Sequence, residues 1–220
     1  MNQTTVELFC DGNPSKTAER RTVICGGVPR GGTSMVAGAI HGLGVSMGSD
    51  LPDNIEDPRF NYDHHTKNGV IYGDFLTQVK RSIAKRNDAE HTWGWKYPRA
   101  QVYMRDVVED LINPCLVMVF RDPIPATLRV TARQGKAHFD SDRVLKTMQG
   151  QMRMVQANMT LINELKVPTL TVSYERALKM PEVFLAELAA FVGRDLPCDV
   201  SDLLNFMTPG SYKKPPLQTA

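Results

Sequence analysis

Residues 22–38, TVICGGVPRGGTSMVAG, set an apolar run ahead of a glycine-rich loop that holds one cation, Arg30, and two hydroxyls, Thr33 and Ser34, at the start of a helical pattern. A strand, a tight loop and a helix in that order aim several backbone N–H groups and the positive helix end at one point, which suits a phosphate. Glycines alone would serve a strand-to-helix turn. Glycines, a cation and hydroxyls at one junction favour binding of a nucleotide-like anion.

The loop is close to the Walker pattern G-x-x-x-x-G-K-[ST], with Gly27, Gly32 and Ser34 in place, but the lysine position holds Thr33 and the cation comes earlier, at Arg30. The second apolar run, residues 115–120 (CLVMVF), should end in an acid that supports Mg²⁺ in a metal-dependent nucleotide site; it ends in Arg121, with Asp122 next. Two parts of the metal apparatus are thus replaced by arginines. Such a site suits a nucleotide bound without metal, its charge met by guanidinium forks. Arg121 has a second reading as a strand-end arginine paired with Asp122 or Glu175.

The elements that must position these residues follow from periodicity. A strand at 22–27 leads into a helix over Thr33–Gly42 with Met35, Val36, Ala39 and Ile40 inward, then into GVSMG as a short second strand and a long irregular segment through SDLPDNIEDPRFNYDHH with one helical turn. Phe75, Val79 and Ile83 mark a helix over 72–86 with a basic outer face, and HTWGWKYPRA a short strand entering a Pro-initiated helix that carries Val102, Val107, Val108, Leu111 and Ile112. After CLVMVF and the helix in RDPIPATLRVTARQG, apolar residues at Leu145, Met148, Met152, Val155, Met159 and Ile162 predict a long helix packed through that stripe, the methionines in the core. TLTVSY is the next strand, and Pro181 opens a helix that Gly193 ends.

Strands alternating with helices predict an α/β fold, a three-layer α/β/α sandwich on a central parallel sheet of the P-loop NTPase-like kind. Ligands of such sheets bind at the carboxyl ends of the strands, so the loops after Ile24, Trp95, Phe120 and Ser173 should converge. Lys96, in a strand, should snorkel or pair, but beside Trp95 and before Pro98 it falls there, as a candidate substrate contact. At 220 residues one domain spanning 1–220 is expected, with 1–21 an N-terminal extension or edge strand (Val6–Cys10) and 207–220 a C-terminal tail.

The net charge of +2 argues against a general nucleic-acid binder. No stretch has the apolar length of a membrane span, and MNQTTVELFC lacks the pattern of a secretory leader, so a cytoplasmic protein with no membrane partner is expected. The four cysteines, without C-x-x-C spacing, read as reduced residues, mostly in the core.

Four separated pieces resemble, in order, the sulfotransferases that use 3′-phosphoadenosine 5′-phosphosulfate (PAPS). VPRGGTS looks like their 5′-phosphosulfate loop, P-[KR]-S-G-T-[ST]; GWKYPRA is similar to the K-x-P-R element of bacterial members; VFRDPIPATLRV is similar to the 3′-phosphate element R-[DN]-P-x-x-x-x-x-S, and VSYERAL to the Y-E-x-L strand end. The resemblance spans Thr22 to about Leu178. It implies transfer of a sulfuryl group from PAPS to a hydroxyl or amine of a small-molecule or carbohydrate acceptor, with adenosine 3′,5′-bisphosphate leaving and no metal. It implies that Arg30 stabilises charge on the transferring group, that Pro29, Arg30, Gly31, Gly32, Thr33 and Ser34 hold the 5′-phosphate, and that Arg121 and Arg129 hold the 3′-phosphate. Tyr174 would touch the adenine or close the core, and Lys213 in the tail would reach a phosphate or be solvated. Glu56, in NIEDPRF, is similar to a proposed base of glycosaminoglycan sulfotransferases; His64 and His65 supply the alternative base of cytosolic members. Two positions depart from the pattern: Arg129 stands where a serine is usual, and Gly31 where the loop serine is. A P-loop kinase or NTPase of unusual sequence, or a nucleotide-binding protein without catalysis, are the other readings, and homodimerisation is left open.

Overall fold

The computed structural model describes residues 3–13, 18–49, 51–132 and 140–209. Its centre is a five-stranded sheet built from β1 (Thr5–Leu8), β2 (Arg21–Gly27), β3 (Thr92–Lys96), β4 (Pro114–Phe120) and β5 (Thr169–Ser173), in the order β1-β5-β4-β2-β3. β2 is buried along its whole length, and β4 through its middle five residues. Continuous apolar runs of this kind belong to strands covered on both faces. β2, β3, β4 and β5 are parallel neighbours, with Ile24 in register with both Trp95 and Leu116. The N-terminal strand β1 pairs antiparallel with β5, so the sheet is mixed at that edge instead of wholly parallel.

One face is covered by α1 (Thr33–Gly42), α8 (Pro181–Val192) and α9 (Ser201–Met207), whose Met35, Val36, Ile40, Phe184, Leu188 and Phe206 pack on Val23, Val117 and Val172. On the other face α3 (Tyr72–Ala89) buries Phe75, Val79 and Ile83 against an aromatic layer of Phe60, Trp93, Trp95, Tyr97 and Tyr103. The architecture is the expected three-layer α/β/α sandwich. The chain leaves β2 for β3 on one side and returns to β4 on the other, so the strand order reverses at the carboxyl ends of β2 and β4. A crevice for ligands opens at such a switch point.

Four expectations need correction. The helix expected after Pro98 is broken into a 3₁₀ turn at Ala100–Val102, one turn of α4 (Met104–Val107) and a second 3₁₀ turn at Val108–Asp110. Tyr103 and Val107, at φ −132° and −128°, leave the helical region, and Tyr103 thereby buries its ring under α3. GVSMG forms a single bridge, Ser46 to Trp93, in place of a strand. The segment after it holds a 3₁₀ turn, Pro58–Phe60, and the short helix α2 (Tyr62–Lys67).

The fourth concerns α6 (Ser141–Leu165), which packs against α5 (Pro123–Ala132). The apolar stripe does not face the core: Leu145, Met152 and Met159 are 55%, 59% and 56% exposed, while Gln151, Asn158, Leu161 and Ile162 are buried. Of the stripe only Ile162 lies inside. The contact runs along the row one residue before the Met152–Met159 row, about 100° round the helix.

Candidate functional site

β2 ends at Gly27, and residues 28–32 turn the chain into α1. Arg30 sits at φ +66° and Gly32 at φ +93°, both in the left-handed region. A Cβ on Gly32 would lie 2.1 Å from the Tyr174 ring, so the position needs glycine for space as well as for dihedral. The loop closes on itself through Gly31 N–H to Val28 O at 2.9 Å. Among the described residues no side chain caps the N-terminus of α1. The first N–H groups of a helix lack partners within it, so these donors and the positive helix end face the crevice together.

Arg121, just past β4, donates from Nη1 to the Arg30 carbonyl at 3.0 Å, lies 4.6 Å over the Tyr174 ring, and has its Nε 3.7 Å from Glu175. Tyr174 opens α7 (Tyr174–Lys179) immediately after β5 and is buried. Its ring therefore closes the core between Gly32 and Arg121. Arg121 thus pairs with Glu175, one of the two carboxylates expected for it, and also fixes the backbone of Arg30.

On the other side of the loop, Lys96 ends β3 with only 2% of its side chain exposed. Its ammonium donates to Glu56 Oε1 at 2.6 Å, to the Asn54 carbonyl at 2.9 Å and to Ser34 Oγ at 3.3 Å. Burial pushes the Lys96 ammonium towards losing its proton and Glu56 opposes that; the charge of Arg30 works in the same direction as burial. The second oxygen of Glu56 accepts from Asn61 Nδ2 at 2.7 Å. Each carboxylate oxygen has about two acceptor positions and one is used on each, which leaves Glu56 capacity for a further donor on either oxygen. Ser34 turns its hydroxyl to the Asn54 carbonyl at 3.1 Å.

The Glu56 segment is fixed from beneath. Ile55, fully buried, holds φ +59°, a conformation that costs a β-branched residue about 1–3 kcal/mol. That twist anchors its side chain in the core and turns the carbonyl of Asn54 and the carboxylate of Glu56 to Lys96. Asp57, also buried, grips Arg59 and caps the 58–60 turn, while Phe60 stacks on Trp95 at 4.5 Å. Trp95 Nε1 donates to the Tyr103 hydroxyl, which donates to the Phe60 carbonyl, at 2.9 and 2.7 Å. Under the loop, burial pushes the Cys25 thiol up to about 12 although Lys96 pulls it down, so this cysteine is an inert part of the floor.

The loops after four strands thus meet as expected, bringing together Arg30, Ser34, Lys96, Glu56, Arg121 and Tyr174. Other candidates lie elsewhere or outside what is described. Arg129 is exposed on α5. His64 is exposed on α2 and meets His65 edge-on at 5.9 Å, and the His65 ring lies on Phe75 at 5.1 Å. Lys213 is outside the described residues. Asn54, Asn61 and the strained Ile55 are parts of the site that no motif or periodicity singles out; the local signal is the density of short polar residues around Glu56.

No family model matches the sequence, and no curated protein matches it. Among solved structures, the sulfotransferase domain of the Synechococcus PCC 7002 olefin synthase superposes with a TM-score of 0.59 at 14% identity, over 89% of this chain and 79% of that one. The fold is that of sulfotransferase domains. The sulfotransferase domain from the curacin biosynthetic pathway matches with a TM-score of 0.51 at 13% identity, over 88% of this chain and 79% of that domain. Among the described residues no helix is long and apolar enough to cross a membrane, and no cluster of histidine, cysteine or carboxylate side chains has the makings of a metal site.

Proposed function

We propose that this protein is a sulfotransferase that takes its sulfuryl group from PAPS, without metal, and passes it to a hydroxyl or amine of a small-molecule or carbohydrate acceptor. The observation that carries this is the juxtaposition of the uncapped α1 N-terminus and Arg30 with the Lys96–Glu56 pair on one side and Arg121 on the other. Arg30 and Lys96 are like charges that act on one another, an arrangement an anion between them relieves. The orphan N–H groups of α1 fit the 5′-phosphate of such a donor, and Arg121 supplies guanidinium to a second phosphate. A divalent cation is disfavoured at Ser34, because the Lys96 ammonium already lies 3.3 Å from the hydroxyl that a Walker site gives to Mg²⁺.

PAPS supplies an activated sulfur whose bond to the 5′-phosphate oxygen is weak. Glu56 accepts the proton of the acceptor oxygen or nitrogen as that atom bonds to sulfur, and Arg30 stabilises the charge that collects on the departing phosphate oxygen. Lys96 and Asn61 hold the carboxylate in line. His64 and His65 are alternative bases only if α2 moves toward the loop.

Thermal unfolding with adenosine 3′,5′-bisphosphate and with ATP, each with and without EDTA, tests the donor. The bisphosphate should stabilise the chain equally in both conditions, by about 2.7 kcal/mol at 100 times its Kd, and ATP far less. Protection by Mg-ATP alone would overturn the proposal in favour of a kinase- or NTPase-like site. Bisphosphate binding with no turnover of PAPS would leave a nucleotide-binding protein without catalysis.

A further inference from the structure

A second concavity, of about 520 Å³, opens on the β3 side of the molecule between α3 and residues 46–49, lined by Ser49, Arg59, Arg81, Lys85, Arg86 and Glu90 among others. Its floor is rigid. The buried Arg86 donates to the carbonyls of Gly94 and Ser46 at 2.7 and 2.8 Å, lies 4.4 Å over the Trp93 ring, and binds Glu90 at 2.8 Å. Burial tends to raise the Glu90 carboxyl, but Arg86 and Ser46 outweigh it and hold the group below its ordinary value, as the carboxylate. Arg59 is clamped by Asp57 at 2.6 Å and reaches Ser49 Oγ at 3.3 Å, with 42% of its side chain still exposed. The one carboxylate in the lining is therefore already committed to the one buried guanidinium.

The rim is different. Arg81 and Lys85 stand one turn apart on the outer face of α3, exposed, with no ion-pair partner among the described residues. Like charges at that spacing repel. By contrast Lys80, next to Arg81 but pointing another way, pairs with Asp110 at 3.0 Å. A basic face kept only for solubility would spread its charge over a convex surface. Here Arg81 and Lys85, with no ion-pair partner among the described residues, face one hollow; the Arg59 fork beside them is already taken by Asp57, and the hydroxyl of Ser49, which accepts from Arg59, keeps its own proton for a further acceptor.

We propose that this hollow is a second anion-binding site, which takes a small ligand bearing two or more phosphate, sulfate or carboxylate groups. Its volume falls within the range of about 300–1,000 Å³ usual for small-molecule sites. The Ser49 hydroxyl donates to one oxyanion at the floor, and Arg81 and Lys85 close on another from the helix. The site is separate from the glycine-rich loop and does not rest on the transfer reaction.

Titration calorimetry with inorganic pyrophosphate, free of divalent metal, tests it on three proteins: wild type, the double variant Arg81→Ala/Lys85→Ala, and Arg30→Ala. Both cations of the double variant lie on an exposed helical face where alanine is well tolerated, and an unchanged circular dichroism spectrum and melting temperature verify the fold. The double variant should lose at least about tenfold in affinity at one class of site, as expected for deleting one charge-assisted contact, while Arg30→Ala retains that class. Wild-type affinity and stoichiometry in the double variant would overturn the proposal, as would loss of all pyrophosphate binding in Arg30→Ala.

Discussion

Neutralising Glu56 should unfold the chain more readily, and the size of the effect follows from the Lys96 contact. At 2.6 Å and an effective dielectric near 20, the pair attracts by about 6 kcal/mol. Desolvating an ammonium that is 2% exposed and a carboxylate that is 16% exposed offsets much of this, by several kcal/mol per ion. Glu56→Gln keeps the shape and removes the charge, leaving Lys96 with the Asn54 carbonyl and the Ser34 hydroxyl. Removing one member of a buried pair costs about 3–5 kcal/mol, and the two remaining acceptors put this case near 3. Lys96→Met removes the other charge, and the double variant removes both, so its loss should fall at least about 1 kcal/mol short of the sum of the single losses. The assay is urea unfolding followed by fluorescence of the buried Trp93 and Trp95, which lie on the same strand as Lys96. Because burial holds Lys96 below its ordinary 10.5, the unfolded chain binds more protons in the alkaline range beneath that value. Wild type should therefore gain stability relative to Lys96→Met as pH rises through that range. Additive single losses, within about 0.5 kcal/mol, would refute the coupling and reduce Glu56 to a solvated loop residue.

Arg30→Ala should lower release of adenosine 3′,5′-bisphosphate from PAPS by about 10²–10³, as loss of one charge-stabilising donor does, with bisphosphate affinity within about tenfold of wild type; an unchanged rate removes Arg30 from the chemistry. Gly32→Ala places a methyl group 2.1 Å from the Tyr174 ring at φ +93°, and should cost more than about 1 kcal/mol in urea unfolding and weaken bisphosphate binding as Tyr174 and Arg121 are displaced. Burial holds His41, in the last turn of α1, below its ordinary 6.5, so the folded state resists a proton that the unfolded chain accepts. That contribution is complete above 6.5 and declines as pH falls through it; His41→Gln should flatten this part of the melting-temperature profile, and an unaltered slope assigns it to other groups.

The loop at 27–34 was legible because its demands are local: glycine dihedrals, one cation and a helix start are all specified within a few residues. The convergence of Arg30, Lys96, Arg121 and Tyr174 was legible from the ordering of strands, since parallel strands put their following loops at one end. Which residue neutralises Lys96 was not, because Glu56 is joined to it only through the Ile55 twist and the Trp95–Tyr103–Phe60 hydrogen-bond chain, all set by tertiary packing. The break at Tyr103 was hidden for the same reason: its ring position overrides a favourable helical pattern. On α6 the apolar period was real, but the helix packs through the adjacent row holding Gln151 and Asn158, and periodicity alone does not say which side meets a neighbour. The helix α9, whose Phe206 fills the space over Gly38, gave only a short pattern near the tail and was not anticipated.

The outward turn of α6 also sorts the methionines by their fate under oxidation. The thioethers of Met152 and Met159 stand in solvent, while Met35 and Met118 are sealed at 0% and 2% exposure. Peroxide should convert the first two to sulfoxides well before the others, and a polar sulfoxide at an already wet position disturbs no packing. Peptide mass mapping should therefore find Met152 and Met159 oxidised ahead of Met35 and Met118, in a chain that unfolds at the same urea concentration as the reduced one.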